Sequence, residues 1–254
     1  MVTSTTFVLV HGAWHGGWCW RRLIPLLRDA GHEVFAPTLT GLGERSHLLS
    51  PAIDLDTHMR DVTAMLEYEE LSDVILVGHS YGGMVITAAA HAAARRLAHL
   101  VYLDAFLPRD GECLLDFFSP QAREATLQRA REQGEGWYSP PQAEDQPFGV
   151  TDPTDARWVR SKLSAHPVAT WLQPVRLADP VAVALPRTYI NCTGTRWFTA
   201  HAERAKAEQG WRYREIATGH DAMITAPREL AAVLLEVAAG DAGGRRRSSP
   251  ADAS

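Results

Sequence analysis

The stretch Gly78-His79-Ser80-Tyr81-Gly82 constrains the fold more than any other part of the chain. An apolar run, Val74-Ile75-Leu76-Val77, leads into it, and a small-residue, helix-prone run from Met84 to Ala94 leads out. Strand, G-x-S-x-G, helix is the context of a nucleophile elbow, a sharp turn that lifts a serine hydroxyl clear of a sheet. Gly78 and Gly82 suit such a crossing, where a Cβ would collide with neighbouring backbone. On this reading Ser80 is a covalent nucleophile. The bland alternative is a chance G-x-S-x-G in a loop at a helix start, and both flanks argue against it.

Strand-like runs alternate with helical patterns along the rest of the chain. The expected strands are Thr6–Val10, Glu33–Ala36, Val74–Val77, Leu100–Leu103, Thr188–Asn191 and Arg212–Ile216. Helical patterns lie between them, near Trp18–Ala30, Thr57–Glu70, Tyr81–Ala94, Ala200–Gln209 and Pro227–Ala239. This alternation predicts an α/β fold, a mostly parallel sheet with helices on both faces. Three of the runs are apolar throughout, as strands covered on both faces should be.

Residues 107–180 break the alternation. They are rich in proline and carry Phe117, Phe118, Trp137, Tyr138, Phe148, Trp158 and Trp171. So many aromatics argue against disorder, and long segments of this kind are usually functional. We expect an inserted cap over the site, with residues 1–106 and 181–240 forming the core. Residues 241–254 are expected to be a disordered tail.

The formal charge of −5 gives no reason to expect a nucleic-acid partner. No apolar run approaches a membrane span. The N-terminus enters Phe7-Val8-Leu9-Val10 without a basic leader, so no signal peptide is expected. Cys19, Cys113 and Cys192 are odd in number and widely spaced. They read as buried thiols in a reducing compartment, which points to the cytoplasm.

A serine hydroxyl needs a base within hydrogen-bond reach, and the base needs an orienting group. His220, in Ala217-Thr218-Gly219-His220-Asp221, follows the last expected strand, and open α/β sheets place their sites at the carboxyl ends of strands. His79 is expected to point away from Ser80. His47, His58, His91, His99, His166 and His201 default to packed or solvated roles. An oxyanion hole would take the backbone N–H of Tyr81 and a second donor from His11-Gly12-Ala13-Trp14-His15-Gly16-Gly17-Trp18, of which the Ala13 N–H is the choice.

That loop and Val77-Gly78-His79-Ser80-Tyr81-Gly82-Gly83-Met84 resemble one branch of the α/β-hydrolase superfamily. The branch holds plant hydroxynitrile lyases, plant methylesterases acting on methyl salicylate and methyl jasmonate, and bacterial esterases of the pyrethroid-hydrolase type. The likeness extends through Ala36–Arg45, Val101–Pro108 and Gly219-His220-Asp221, and the bacterial esterases look closest. Lyases of the branch typically carry a threonine where Gly12 stands, and a lysine beside the catalytic histidine where Asp221 stands. Both departures favour ester hydrolysis.

The resemblance also implies an acid after the strand Thr188–Asn191, but that place falls on Thr195. Asp104, at the end of an apolar strand, is the first substitute. Glu203, Glu215 and a site without a carboxylate remain alternatives.

The expected activity is hydrolysis of carboxylic esters of bulky or aromatic hydrophobic small molecules, through an acyl-enzyme on Ser80 with His220 and Asp104. Gly12, Trp14, Phe106, Trp137 and Trp158 are the expected pocket residues. No cofactor or metal is called for. The expected partner is a small-molecule ester, with no nucleic acid and no membrane, and a homodimer stays open. The other readings are a lyase-like or other non-hydrolytic reaction in the same pocket, or a ligand-binding protein with a weakened triad.

Overall fold

The computed structural model describes residues 4–141 and 147–245. In chain order the first half contains β1 (Thr6–Val10), α1 (Leu23–Asp29), β2 (Glu33–Phe35), α2 (Leu55–Tyr68), β3 (Val74–His79), α3 (Gly82–Ala93) and β4 (Leu97–Leu103). The middle of the chain contributes α4 (Pro120–Gln133), β5 (Tyr138–Ser139), α5 (Pro153–Arg160), β6 (His166–Pro167), α6 (Ala169–Leu172) and α7 (Pro180–Val183). The chain then returns through β7 (Arg187–Cys192), α8 (Thr199–Ala207), β8 (Trp211–Ile216), α9 (Ala222–Thr225) and α10 (Pro227–Arg245).

Six strands form one sheet in the order β2-β1-β3-β4-β7-β8, and every neighbouring pair is parallel. The order reverses direction between β1 and β3, the kind of switch point at which such sheets bind ligands. Strand side chains alternate between two apolar clusters. Phe7, Leu9, Ile75, Val77, Val101, Leu103 and Ile190 face one, with Trp20, Leu23 and Leu27 before and within α1 and Leu230, Leu234 and Val237 of α10. Val8, Val10, Leu76, Leu100 and Tyr189 face the other, with α2 and α3. Burial on both faces accounts for the continuous apolar strands seen in the sequence.

Register aligns the carboxyl ends of the central strands. His79 sits opposite Leu103, and Leu103 opposite Ile190. The residues that follow, Ser80, Asp104 and the loop after β7, therefore emerge side by side at one edge of the sheet.

Residues 107–180 are woven into both cores. Leu114, Leu115, Trp171 and Val175 join the cluster under α2 and α3, and Val150, Ala156 and Val159 join the other. α10 continues through Arg245, into the stretch expected to be a disordered tail, and positions 246–254 lie outside the described residues. Among the described residues no helix is long and apolar enough to cross a membrane.

Candidate active site

Ser80 occupies the turn between β3 and α3 at φ +54°, a left-handed conformation that costs a non-glycine residue strain. The turn is tied down on two sides. The Ser80 N–H donates to Leu103 O at 3.2 Å, and the Phe106 N–H donates to Ser80 O at 3.2 Å. Close crossing explains the flanking glycines. A Cβ on Gly82 would lie 2.7 Å from Val10 O, and one on Gly12 would lie 2.9 Å from Ser80 Cβ.

Asp104 follows β4, also at positive φ, +42°. Its carboxylate is buried and accepts two hydrogen bonds. Oδ2 takes the Nδ1–H of His220 at 2.6 Å, and Oδ1 takes the Cys192 N–H at 3.2 Å. The next residue is braced as well, for Ala105 N–H donates to Tyr189 Oη at 3.1 Å and that hydroxyl donates to Ala105 O at 3.1 Å.

With Nδ1 donating to a carboxylate, Nε2 of His220 is left as the ring's acceptor. Neither that nitrogen nor Ser80 Oγ has a hydrogen-bond partner among the described residues. Such bonds in unliganded sites often close only around substrate. Phe198 stacks on the His220 ring at 5.0 Å with an interplanar angle of 4°, and Trp197 lies 5.4 Å away.

Among the carboxylate candidates, Asp104 is the one that meets His220. Glu203 is exposed on α8 and pairs with Lys206 at 3.2 Å. Glu215 is exposed on β8, where it accepts from Tyr213 Oη at 2.8 Å and faces Lys206 at 3.3 Å. Thr195 Oγ1 is buried and has no hydrogen-bond partner among the described residues.

The expected oxyanion donors, the N–H groups of Ala13 and Tyr81, carry no protein acceptor among the described residues. Their orientation is imposed from behind. His11 Nδ1–H donates to Gly12 O at 2.9 Å, while His11 Nε2 accepts from Leu39 N–H at 3.1 Å. A trans peptide is planar, so a fixed Gly12 carbonyl also fixes the Ala13 N–H on its opposite side. Burial keeps His11 neutral, holding its pKa down to about 3. Tyr81 is anchored through its hydroxyl, which donates to His58 Nδ1 at 2.8 Å, and His58 Nε2–H in turn donates to Thr40 O at 2.9 Å.

His79 turns away from Ser80, and its Nε2–H donates to His220 O at 3.1 Å. His79, His220 and Asp221 offer ligand atoms within 4.8 Å of one another. Two of the ring nitrogens there are already donating to protein oxygens, which organises the group around protons rather than a cation.

The expected pocket residues divide. Gly12 lies against Ser80, and the backbone of Phe106 is bonded to Ser80 while its ring packs among Phe117, Phe118 and Phe198. Trp14 packs on Trp171 and Phe148, with its indole N–H on Ser139 O at 3.1 Å.

The structure does not bring Trp137 or Trp158 to the site. Trp137 sits edge-on to Tyr138. Trp158 packs at 5.2 Å on Trp18, under the Arg22 guanidinium, because α5 turns its apolar side to the other face of the sheet. Trp197 and Phe198 were missed. They lie in the loop after β7, and the strand-end rule that singled out His220 would have found them.

The alpha/beta hydrolase family matches residues 7–233. A carbendazim hydrolyzing esterase from Nocardioides sp. (strain SG-4G) is 41% identical over 239 residues, covering 89% of this chain and 96% of that protein. Salicylic acid-binding protein 2 of Nicotiana tabacum is 29% identical over 262 residues, covering 91% of this chain and 96% of that protein. An extracellular alpha/beta-hydrolase from a Paenibacillus species has the same fold, with a TM-score of 0.81 at 22% identity over 91% of this chain and 98% of its own. A family match over most of the chain, on a parallel sheet that delivers a strained serine and a buried acid–imidazole pair to one edge, makes this chain a member of the alpha/beta hydrolase family.

Proposed function

We propose that this chain is a serine esterase acting on carboxylic esters of bulky or aromatic hydrophobic small molecules through an acyl-enzyme. The observation that carries the reading is the buried Asp104–His220 pair at 2.6 Å, beside a serine held at φ +54°. His220 Nε2 takes the proton of Ser80 Oγ as that oxygen attacks the ester carbonyl. Asp104 holds the ring and stabilises the imidazolium. The carbonyl oxygen, now an anion, is met by the N–H groups of Ala13 and Tyr81. The intermediate expels the alcohol, protonated by His220, and leaves the acyl group on Ser80. His220 then activates water, and the acid departs.

The rings of Phe198 and Trp197 on His220, with Phe106 packed on Phe198, support a hydrophobic substrate. The insertion, which reaches the His220 segment through Phe148, acts as the cap. The relationship to a carbendazim hydrolyzing esterase supports hydrolysis. A hydroxynitrile-lyase reading is disfavoured on two counts. A side chain at position 12 would press on Ser80 Cβ, and the residue beside His220 is a carboxylate bonded to His15 rather than a cation. Three free, buried cysteines suit a reducing, cytoplasmic location.

The test is Ser80→Ala with p-nitrophenyl esters of aliphatic and aromatic acids. Turnover should fall by at least about 10³-fold, with the fold intact by circular dichroism. A variant as active as the parent would remove Ser80 from the mechanism.

A further inference from the structure

His15 and Asp221 take no part in the proton transfers described above, yet they are paired and buried beside the site, where the other carboxylate oxygen of Asp221 lies 3.7 Å from His79 Nε2. His15 Nε2 lies 3.0 Å from Asp221 Oδ2, with the two side chains 1% and 0% exposed. The other ring nitrogen, Nδ1, lies 2.8 Å from Ala13 O. A carbonyl oxygen only accepts, so Nδ1 carries a proton, and with Asp221 as a carboxylate Nε2 carries one as well. In that state His15 is an imidazolium paired with a carboxylate. Its ring stacks on Trp18 at 5.2 Å, with Phe148 edge-on at 4.7 Å, as a cation among aromatics should.

The position of the pair gives it a purpose. Ala13 carries one expected oxyanion donor. Asp221 is the residue after His220, and its own N–H donates to Phe148 O of the insertion at 3.2 Å. The pair thus joins three segments distant in sequence, which meet around Ser80. We propose that His15 and Asp221 form a buried imidazolium–carboxylate clamp that fastens the oxyanion loop to the His220 segment, which makes both of them positioning residues for ester turnover. The proposal rests on the esterase reading, and it locates the precision of the site in a contact outside the acid–base groups. Small displacements of reacting groups cost large factors in rate.

The groups facing His15 are Asp221 from the segment before α9, His79 from the end of β3 and His11 from its own loop, while Cys19 of the short helix Gly17–Arg22 and Cys192 at the end of β7 feel the charge of Asp221. The first of these determines its state. Burial alone would lower its pKa, but the Asp221 charge and hydrogen bond leave it raised above 6.5. His11 and His79 are pushed down by burial and remain neutral, and the Cys19 thiol is pushed up by burial.

The test compares His15→Gln, Asp221→Asn and the double variant on a p-nitrophenyl ester. Each single change should lower kcat by about 10- to 100-fold with KM little altered. The double variant should be no slower than the worse single variant, as for two residues acting as one unit. Singles that keep kcat within about twofold while melting earlier would show a structural role only and overturn the proposal. So would effects that multiply.

Imidazole ¹⁵N NMR on the unmodified protein tests the clamp even where a variant fails to fold. Both His15 nitrogens should be protonated at pH 6.5, and a neutral tautomer would overturn the clamp. Absence of ester turnover by the wild-type protein would instead count against the esterase reading, leaving the NMR result standing.

Discussion

At the scale of single residues the site turns on which carboxylate serves His220. Asp104 is buried against it, whereas Glu203 and Glu215 are exposed and paired with Lys206. Asp104→Asn keeps the shape but can present an N–H to the ring, which favours the wrong tautomer. Its kcat should fall on the order of 10³- to 10⁴-fold. Glu203→Gln should stay within about twofold of wild type. Steady-state kinetics of the two variants decides the matter, and the reverse ranking would displace Asp104. The contact of Asp104 with His220 was legible because an aspartate ending an apolar strand is costly without a partner. Trp137 and Trp158 misled because aromatic identity says nothing of direction: Trp158 lies on a helix whose apolar side serves the opposite face. His15 was invisible for a related reason. A histidine in a glycine-rich loop shows its importance only when Asp221, 206 positions away, closes on it.

At the scale of elements, strand centres followed from apolar runs, and the boundaries moved where a polar residue found a partner. β4 begins at Leu97 rather than Leu100 because His99, which interrupts the apolar run, is buried on a hydrogen bond to Thr188 Oγ1 at 2.8 Å. The single helix expected over Trp18–Ala30 divides into a 3₁₀ turn, Gly17–Arg22, and α1. Pro25 is the physical reason. It has no N–H to give to residue 21 and is tolerated only in a first helical turn, so the α-helix starts just before it. The elbow was read correctly as an element because its glycines answer to backbone contact rather than to side-chain packing. That contact makes a sharp test. In Gly82→Ala the new methyl would meet Val10 O at 2.7 Å and His11 O at 3.0 Å, both main-chain atoms that cannot swing aside. The start of α3 would be driven away from β1, taking Ser80 and the Tyr81 N–H with it. Thermal unfolding should report a loss of roughly 1–3 kcal/mol, as for overpacking elsewhere. Ester turnover should fall by about 100-fold or more, as expected for displaced reacting groups. Wild-type melting and turnover would mean that the crossing is looser than it looks.

For the whole molecule, the sheet and its helices could be read from periodicity, whereas residues 107–180 could not. Their elements are short and take their places from contacts such as Trp14 with Trp171 and Ser139, which no local pattern encodes. One global property does follow from composition once burial is known. His11, His58, His79, His166 and His201 are buried, and burial lowers the pKa of each: His11 to about 3, His58 and His201 to about 4, and His79 and His166 further below their ordinary range. In the unfolded chain all five titrate near 6.5. Between 6.5 and the folded values the unfolded state binds more protons, so stability is complete above pH 6.5 and is lost as pH falls. At pH 5 the loss is about 2 kcal/mol for each of His11, His58 and His201, and His79 and His166 act in the same direction. Together these are a large share of the stability of an ordinary domain, roughly 5–15 kcal/mol. His15, with its raised pKa, acts in the opposite sense: its contribution is full below 6.5 and declines as pH rises through the folded value. One residue of that sign cannot offset five of the other. Urea unfolding followed by tryptophan fluorescence should therefore give a midpoint that falls steeply from about pH 7 to pH 5. A midpoint constant across that range would mean that the buried imidazoles are protonated in the folded protein, which would contradict the neutral, singly donating rings of His11 and His58 that hold the Ala13 and Tyr81 amides in place.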